Sequence, residues 1–323
     1  MKLSSLLLIL VAVLWLIELS SGVSGISISV ALADWWHGHN SVARIILFEV
    51  RLPRACLALM AGAALAISGA ALQGLLRNPL ASPDILGVSQ TAALAAVCVL
   101  YFGFSQLAWF VLPLAALSGA ALAVVFLLQL TRRLASTQSL ILAGIALTAL
   151  TSALITFALN YAPNPYALQE VYFWMLGSVA NRSLAEVWLA LPFFVIGTAL
   201  LLSSHRCLDA LSLGEDTAAT LGFPLSHYRW RLIVGVACNV GAAVAVSGSI
   251  GFVGLIVPHV LRPLVKGQPG QLLWWSLPGG SALVLLADVI VQHLPGTQEL
   301  QLGVLTALLG GPFFLWLLLR QRS

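Results

Sequence analysis

Two short segments, one in each half of the chain, carry nearly the same eight residues: "GAALAISG" at residues 62–69 and "GAAVAVSG" at residues 241–248. They differ only by two exchanges among aliphatic residues, and neither contains a charged residue. Small residues of this kind let helices approach closely inside a membrane. The repeated segment therefore predicts close helix packing at corresponding places in two related halves.

The composition around these segments is that of a membrane protein. The chain has 323 residues, of which 60% are hydrophobic and only 8% are charged, and its mean hydropathy is +1.00. A soluble domain carries about 25% charged residues. The sequence pI near 9.1 would also suit a nucleic-acid binder, but the basic residues fit a loop topology. We therefore expect a lipid bilayer as partner and no nucleic acid.

A helix that spans a bilayer needs about 20 predominantly apolar residues. Ten runs approach this length, and the eighth is short and contains Pro258. The sequence predicts an all-α polytopic membrane protein with about ten transmembrane helices. The runs are 3–22, 55–76, 85–104, 107–128, 138–160, 187–204, 228–247, 249–265, 272–292 and 303–319.

The basic residues set the expected orientation, because Lys and Arg are enriched in cytoplasmic loops. With the N-terminus in the cytoplasm, eleven of the 15 basic residues fall inside and four fall outside. Both termini are then cytoplasmic, and the second and seventh spans cross the membrane in opposite directions. This is the signature of an inverted repeat, with spans 2–5 and 7–10 as the related halves.

We divide the single transmembrane domain, residues 1–323, accordingly. Its four predicted parts are a first helix with an outer loop (1–54), a first half-repeat (55–160), a cytoplasmic loop (205–227) and a second half-repeat (228–323).

The chain lacks the motifs that would power transport by itself. It contains no G-x-x-x-x-G-K-[ST] sequence, so it has no ATP site of this kind. The predicted spans hold few ionisable groups: Glu18, Asp288 and His259. Such groups usually mark ion pathways. We therefore expect a non-enzymatic protein without cofactor or metal that takes its energy from a partner. An ion-coupled secondary transporter and an intramembrane enzyme stay as alternatives.

The longest cytoplasmic connection offers a docking site for such a partner. Residues 214–221 predict a short helix with Glu215 and Asp216 in its first turn, where acidic groups favour the helix dipole. Gly222 and Pro224 end it. The alternative is an ordinary solvated loop.

On the opposite side, "RLPR" at residues 51–54 predicts a turn stiffened by proline that presents two guanidinium groups. Arginine pairs with carboxylates through two parallel hydrogen bonds. The pattern favours docking of an acidic partner surface, and anchoring to lipid headgroups is the alternative.

Four stretches together resemble one known family over essentially the whole chain. They are "RLPRACLALMAGAALAISGAALQGLLRNPLASPDILGVS", "LSLGEDTAATLGFP", "GSIGFVGLIVPHVLR" and "LGVLTALLGGPFFLWLL". The family is that of the iron-chelate and cobalamin uptake permeases, the membrane subunits of type II ABC importers. The resemblance implies a permease in the bacterial inner membrane. Its implied partners are two ATP-binding subunits, a periplasmic substrate-binding protein and a second permease copy or paralogue.

The resemblance also implies roles for individual residues. Arg51 and Arg54 would bind acidic residues on the two lobes of the binding protein. A third family arginine lies four residues after the position of Asp288, where this chain has Gln292 followed by His293. The cytoplasmic gate would comprise Ser136, Thr137 and Gln138. The coupling helix, which enters a cleft of the ATPase subunit, would comprise Gly214, Glu215, Asp216, Ala218, Thr220, Leu221 and Gly222.

The wording "NPLASPDILGVS" is most similar to the iron(III)-dicitrate and siderophore branch of this family. The resemblance therefore implies a ferric chelate as substrate, with haem and cobalamin as alternatives.

Overall fold

The computed structural model describes residues 3–22, 25, 27–133, 137–161, 165–295 and 299–320. In this part of the chain the regular structure is entirely helical, which confirms the predicted all-α class. The helices are α1 Leu3–Ser20, α2 Ile28–Trp36, α3 Val42–Ile45, α4 Leu52–Leu75, α5 Val88–Tyr101, α6 Val111–Arg133, α7 Thr137–Asn160, α8 Pro165–Met175, α9 Leu184–Ser203, α10 His205–Leu211, α11 Glu215–Thr220, α12 Leu225–Ser247, α13 Val253–Leu261, α14 Pro269–His293 and α15 Leu302–Arg320.

Ten apolar helical segments correspond one by one to the ten predicted spans. Among the described residues, six are long and apolar enough to cross a membrane: Val42–Leu75, Val111–Leu130, Ser139–Asn160, Leu184–Ser203, Leu225–Ser247 and Pro269–His293. Four are shorter: Ser5–Ser20, Val88–Tyr101, Val253–Val265 and Leu302–Leu315. The predicted polytopic architecture is therefore confirmed.

Helices α4 and α14 form a closely packed antiparallel pair. Twenty of the 24 residues of α4 are buried. A Cβ atom on Gly62 would lie 2.3 Å from the carbonyl oxygen of Gly280 on α14, and the reciprocal distance is 2.1 Å. Further along, the position for a Cβ on Gly74 lies 3.4 Å from Cβ of Pro269, at the start of α14. The glycines therefore let the two backbones touch at Gly62 and Gly280, and the pair stays in contact as far as the start of α14.

The repeated segments occupy equivalent places in the two halves. Helix α4 packs on α14 and α13, and its counterpart α12 packs on α6 and α5. Gly62 of the first copy faces Gly280 of α14, whereas the corresponding Gly241 of the second copy faces Ala120 of α6. In each half, the helix that carries the repeated segment thus packs on the second and third helices of the other half. This is the contact pattern that an inverted repeat produces.

The predicted turn at residues 51–54 is wrong. The chain is helical without interruption from Val42 to Leu75, through a π-helical segment, Ile46–Arg51, that leads directly into α4. Pro53 stands in the first turn of α4. Proline lacks an amide hydrogen, so Pro53 cannot donate to the preceding turn, and it stands where the π-helical segment passes into the regular α-helix. A proline at this place starts the regular α-helix and does not end a helix.

Candidate functional site

Arg54, in the first turn of α4, lies among three carboxylates. Its Nε and Nη2 donate to the two carboxylate oxygens of Asp288 on α14, at 2.7 and 2.9 Å. Nη2 also donates to Glu299, which lies between α14 and α15 and is exposed. Glu18 of α1 is the third acid, with Oε1 3.7 Å from Nε. The Arg54 side chain is only 14% exposed. One guanidinium group therefore joins α1, α4 and α14.

Gln292 belongs to the same cluster. Its side-chain amide donates to Glu18 and, at 3.3 Å, to Asp288. The neighbouring His293 is turned away and contacts the carbonyl oxygen of Val289 on its own helix through Nδ1. Of the two candidates to replace the missing third arginine, Gln292 is thus the one that reaches the Arg54 cluster.

Arg51 lies apart from this cluster, although the two arginines are three positions apart in the sequence. Its side chain is buried and its Nη1 donates to the carbonyl oxygen of Leu19 at 3.0 Å, near the end of α1. The guanidinium group also packs against Gly22. The structure therefore directs the two predicted docking arginines to different surroundings.

The predicted coupling helix is α11. It begins after Gly214 (φ 117°) and ends before Gly222 (φ 87°), two backbone conformations that suit glycine. Ala218 is fully buried and fixes one face of the helix against the rest of the protein. Oε2 of Glu215 lies 2.8 Å from Nη2 of Arg229 on α12. The remaining predicted members, Asp216, Thr220 and Leu221, are exposed. A short helix is thus held firmly and presents one side outward.

Helix α10 connects α11 to the rest of the protein. Its residues Cys207 and Leu208 are fully buried, and the helix contacts α4, α11 and α14. The carboxylate of Asp209 accepts a hydrogen bond of 2.7 Å from the backbone amide of Gly270, in the first turn of α14. Burial of the Cys207 thiol raises its pKa to about 11.

The three predicted gate residues cannot be placed in this way. Ser136 and the side chains of Thr137 and Gln138 lie outside the part of the chain that the structure describes. Where the structure does describe the chain, no group of three or more His, Cys, Asp or Glu side chains could hold a metal ion.

Sequence analysis missed several members of these two sites. Glu299, Asp209 and Arg229 carry no motif, and their partners lie far away along the chain. Glu18 and Asp288 could have been paired with Arg54, because they are among the few ionisable residues in the predicted spans and each needs a counter-charge there.

Comparisons with known proteins agree with this architecture. The FecCD transport family matches residues 8–320. The Fe(3+) dicitrate transport system permease protein FecD of Escherichia coli is 39% identical over 308 residues, which cover 95% of each chain. The vitamin B12 import system permease protein BtuC of Citrobacter koseri is 37% identical over 293 residues, covering 91% of this chain and 88% of the relative.

A solved structure described as an inward-facing conformation of a metal-chelate type ABC transporter has the same fold. Its TM-score is 0.86 at 33% sequence identity, and the match covers 97% of both chains.

Proposed function

The chain belongs to the FecCD transport family, and we propose that it carries a ferric chelate, either a siderophore complex or iron citrate. It is a multi-pass permease of a bacterial ABC importer for an iron chelate or cobalamin, and it is not itself an ATPase. The family therefore excludes the ion-coupled secondary transporter and the intramembrane enzyme that the sequence left open.

The choice of a ferric chelate is supported by the "NPLASPDILGVS" stretch at residues 78–89. The identity of 39% to an iron-dicitrate permease agrees with it. Cobalamin is the second candidate, because a B12 permease is 37% identical to this chain. Haem is the third candidate.

The proposed assembly has two permease copies, or one copy with a paralogue, lining a central pathway across the inner membrane. A substrate-binding protein docks outside, where Arg54 and Arg51 lie. Two ATP-binding subunits dock in the cytoplasm on the α11 helices. The gate is formed by residues 136–138, and both termini are cytoplasmic. The ATP-binding and substrate-binding partners follow from the importer class.

One observation carries the assignment of α11 as the docking element. A six-residue helix is anchored by buried Ala218 and by the Glu215–Arg229 ion pair, yet it exposes Asp216, Thr220 and Leu221. A mobile loop would change its own conformation when a partner moves against it. A helix that is fixed both by buried Ala218 and by the Glu215–Arg229 pair instead transmits the displacement to the helices it contacts.

The test is Asp216→Lys in proteoliposomes that contain the permease, its ATP-binding subunits and its substrate-binding protein. Asp216 is exposed and outside the Glu215–Arg229 pair, so the change alters the docking surface and leaves that ion pair and buried Ala218 in place. We expect ATP-driven uptake of ⁵⁵Fe(III)-dicitrate to fall at least tenfold, with the ATPase activity no longer stimulated by the binding protein.

Glu170→Lys on α8 is the matched control, because it makes the same charge change at an exposed acid far from α11. Its uptake should equal that of the native protein. Uptake driven by a proton gradient without the ATP-binding subunits would contradict the importer mechanism. Parallel uptake assays with cyanocobalamin and haemin test the substrate: preference for either over the ferric chelates would refute the proposed specificity.

A further inference from the structure

The start of α14 is capped by a residue from another helix. The first amides of a helix lack intrahelical acceptors, and in α14 one of them, that of Gly270, donates to the carboxylate of Asp209 on α10 at 2.7 Å. A negative charge at this end also favours the helix dipole. Asp209 therefore holds the end of a 25-residue helix by a charge-assisted hydrogen bond.

The contact requires a close approach of α10 to the end of the α4–α14 pair. A Cβ atom on Gly270 would lie 2.4 Å from Oδ2 of Asp209 and 2.8 Å from the carbonyl oxygen of His205. Next to it, the methyl groups of Leu208 lie 3.2 and 3.4 Å from the position that a Cβ on Gly74 would take, near the end of α4. Helix α10 thus packs on both α4 and α14.

On its other side α10 continues directly into α11. The amide of Gly214 donates to the carbonyl oxygen of Leu211, the last residue of α10, at 3.1 Å, and α11 starts at the next residue. A displacement of α11 therefore reaches α10 through a three-residue connection, and reaches α14 through Asp209.

The far end of α14 carries Asp288, which binds Arg54 through two hydrogen bonds. Between the two ends, α4 and α14 touch backbone to backbone at Gly62 and Gly280. A closely packed helix pair resists compression along its axis, since interiors of this density transmit strain. The α4–α14 pair thus joins α10 to the Arg54 cluster without an intervening loop.

We propose that Asp209 is the positioning residue that couples the docking helix α11 to α14 and, through α14, to the arginine cluster at the opposite end of the protein. The proposal rests on the proposed function, in which ATP-binding subunits push on α11 and the binding protein docks at Arg54. In this proposal Asp209 belongs to neither docking surface and acts through its hydrogen bond to Gly270. It transmits the state of one site to the other, which is what a coupling free energy between two sites requires.

The experiment compares Asp209→Ala and Asp209→Asn in proteoliposomes with the ATP-binding subunits and the binding protein loaded with Fe(III)-dicitrate. The readout is the ratio of ATPase rates with and without binding protein. Asp209→Ala should lower this stimulation about fivefold or more. The affinities of the isolated permease for each partner should stay within about twofold of native. Asp209→Asn keeps an oxygen acceptor for Gly270 and should restore most of the stimulation.

Ser183→Ala is the matched control. Ser183 caps the start of α9, a helix of 20 residues, through a capping box with Glu186. Its replacement therefore also removes a helix cap, but at the end of α9 that is away from α10. Equal loss of stimulation in this control, or native stimulation in Asp209→Ala, would overturn the proposal. Gly270→Ala serves as an independent second variant, because its methyl group forces Asp209 away while the carboxylate is kept, and it should also lose stimulation.

Failure of the proposed function gives a different result. If the native permease binds no ATP-binding subunits, or if their ATPase activity does not respond to the binding protein in the native complex, the assignment of the docking surfaces is wrong. If the native complex responds and Asp209→Ala responds equally, the function stands and only the role of Asp209 is refuted.

Discussion

Arg54 and Asp288 are 234 positions apart in the sequence and are joined by two parallel hydrogen bonds of 2.7 and 2.9 Å. Because Asp288 is buried, this pair fastens the start of α4 to the end of α14. The arginine proposed to receive the binding protein is therefore also a structural residue. Charge reversal at Arg54 would disturb the fold and docking together, so the two roles need separate tests.

The structural role predicts a large loss of stability for Arg54→Ala. The change leaves Asp288 buried without its counter-charge, which costs about 3–5 kcal/mol for a buried pair. Asp288→Ala in the same background should recover part of this loss, because the uncompensated carboxylate is gone. The measurement is the free energy of unfolding in mixed micelles by SDS titration, as a double-mutant cycle. Additive effects of the two changes would show that the pair is not coupled.

The docking role predicts that Glu299→Gln strengthens binding of the binding protein. Glu299 already occupies one edge of the Arg54 guanidinium group, so it competes with any incoming carboxylate. Exposed ion pairs contribute about 0.2–1 kcal/mol, and we expect the affinity to rise up to about fivefold at low salt. Surface plasmon resonance on the nanodisc-embedded permease measures it.

Glu49→Gln is the control for this variant, since Glu49 is also exposed, lies on the π-helical segment and loses the same charge. Its affinity should stay at the native value. Weaker binding for Glu299→Gln than for Glu49→Gln would mean that Glu299 assists docking and does not compete with it.

Close backbone contact predicts intolerance of a single methyl group at Gly69 on α4. A Cβ atom there would lie 1.7 Å from the carbonyl oxygen of Gly254 on α13, so the helices would have to move apart. We expect Gly69→Ala to lower the free energy of unfolding by about 1–3 kcal/mol or more. Gly251→Ala makes the same exchange just before α13, where the added Cβ meets no described atom within 4 Å outside its chain neighbours and φ is not positive, and it should be neutral. Similar unfolding curves for the two variants would contradict the contact.

Burial of Cys207 predicts resistance to alkylation. Its pKa of about 11 lies above the ordinary thiol value near 8.5, so the thiol stays protonated in the folded protein at neutral pH. Deprotonation favours the unfolded state, and stability should therefore fall as the pH rises through the range between these two values. Mass spectrometry after N-ethylmaleimide treatment at pH 7 should find Cys207 unmodified in the native protein and modified in SDS. Rapid modification of Cys207 in the native protein would mean that α10 moves away from α4 and α14 and exposes the thiol.

Local signals in the sequence were sufficient for the spans and for α11. Apolar runs of about 20 residues mark the spans. Gly214 and Gly222 bracket α11, whose six residues lie within the predicted helix at 214–221. The repeated small-residue segments lie in the second and seventh predicted spans, and the odd difference between these positions predicts that the two halves are inverted.

Long-range partners could not be predicted in this way. Whether Arg54 points to solvent or to Asp288 depends on how α4 and α14 pack, and no residue near Arg54 in the sequence reports that. Pro53 suggested a turn because proline ends helices more often than it continues them, and the π-helical segment before it has no clear sequence pattern. Asp209 resembled any polar residue of a cytoplasmic loop until its distance to Gly270 was known.

The two equivalent helix crossings of the repeat are not equally tight. Where α4 meets α14, Gly62 faces another glycine and the nearest atom is a carbonyl oxygen, whereas the corresponding Gly241 on α12 faces the methyl group of Ala120 on α6. A Cβ on Gly241 would lie 2.7 Å from the Ala120 Cβ, against 2.3 Å from the Gly280 carbonyl oxygen for a Cβ on Gly62. Exchange of Ala120 for glycine would remove the first obstacle, whereas no exchange removes a backbone carbonyl. A side chain at Gly241 can therefore be compensated by a second exchange at Ala120, whereas a side chain at Gly62 requires α4 and α14 to move apart.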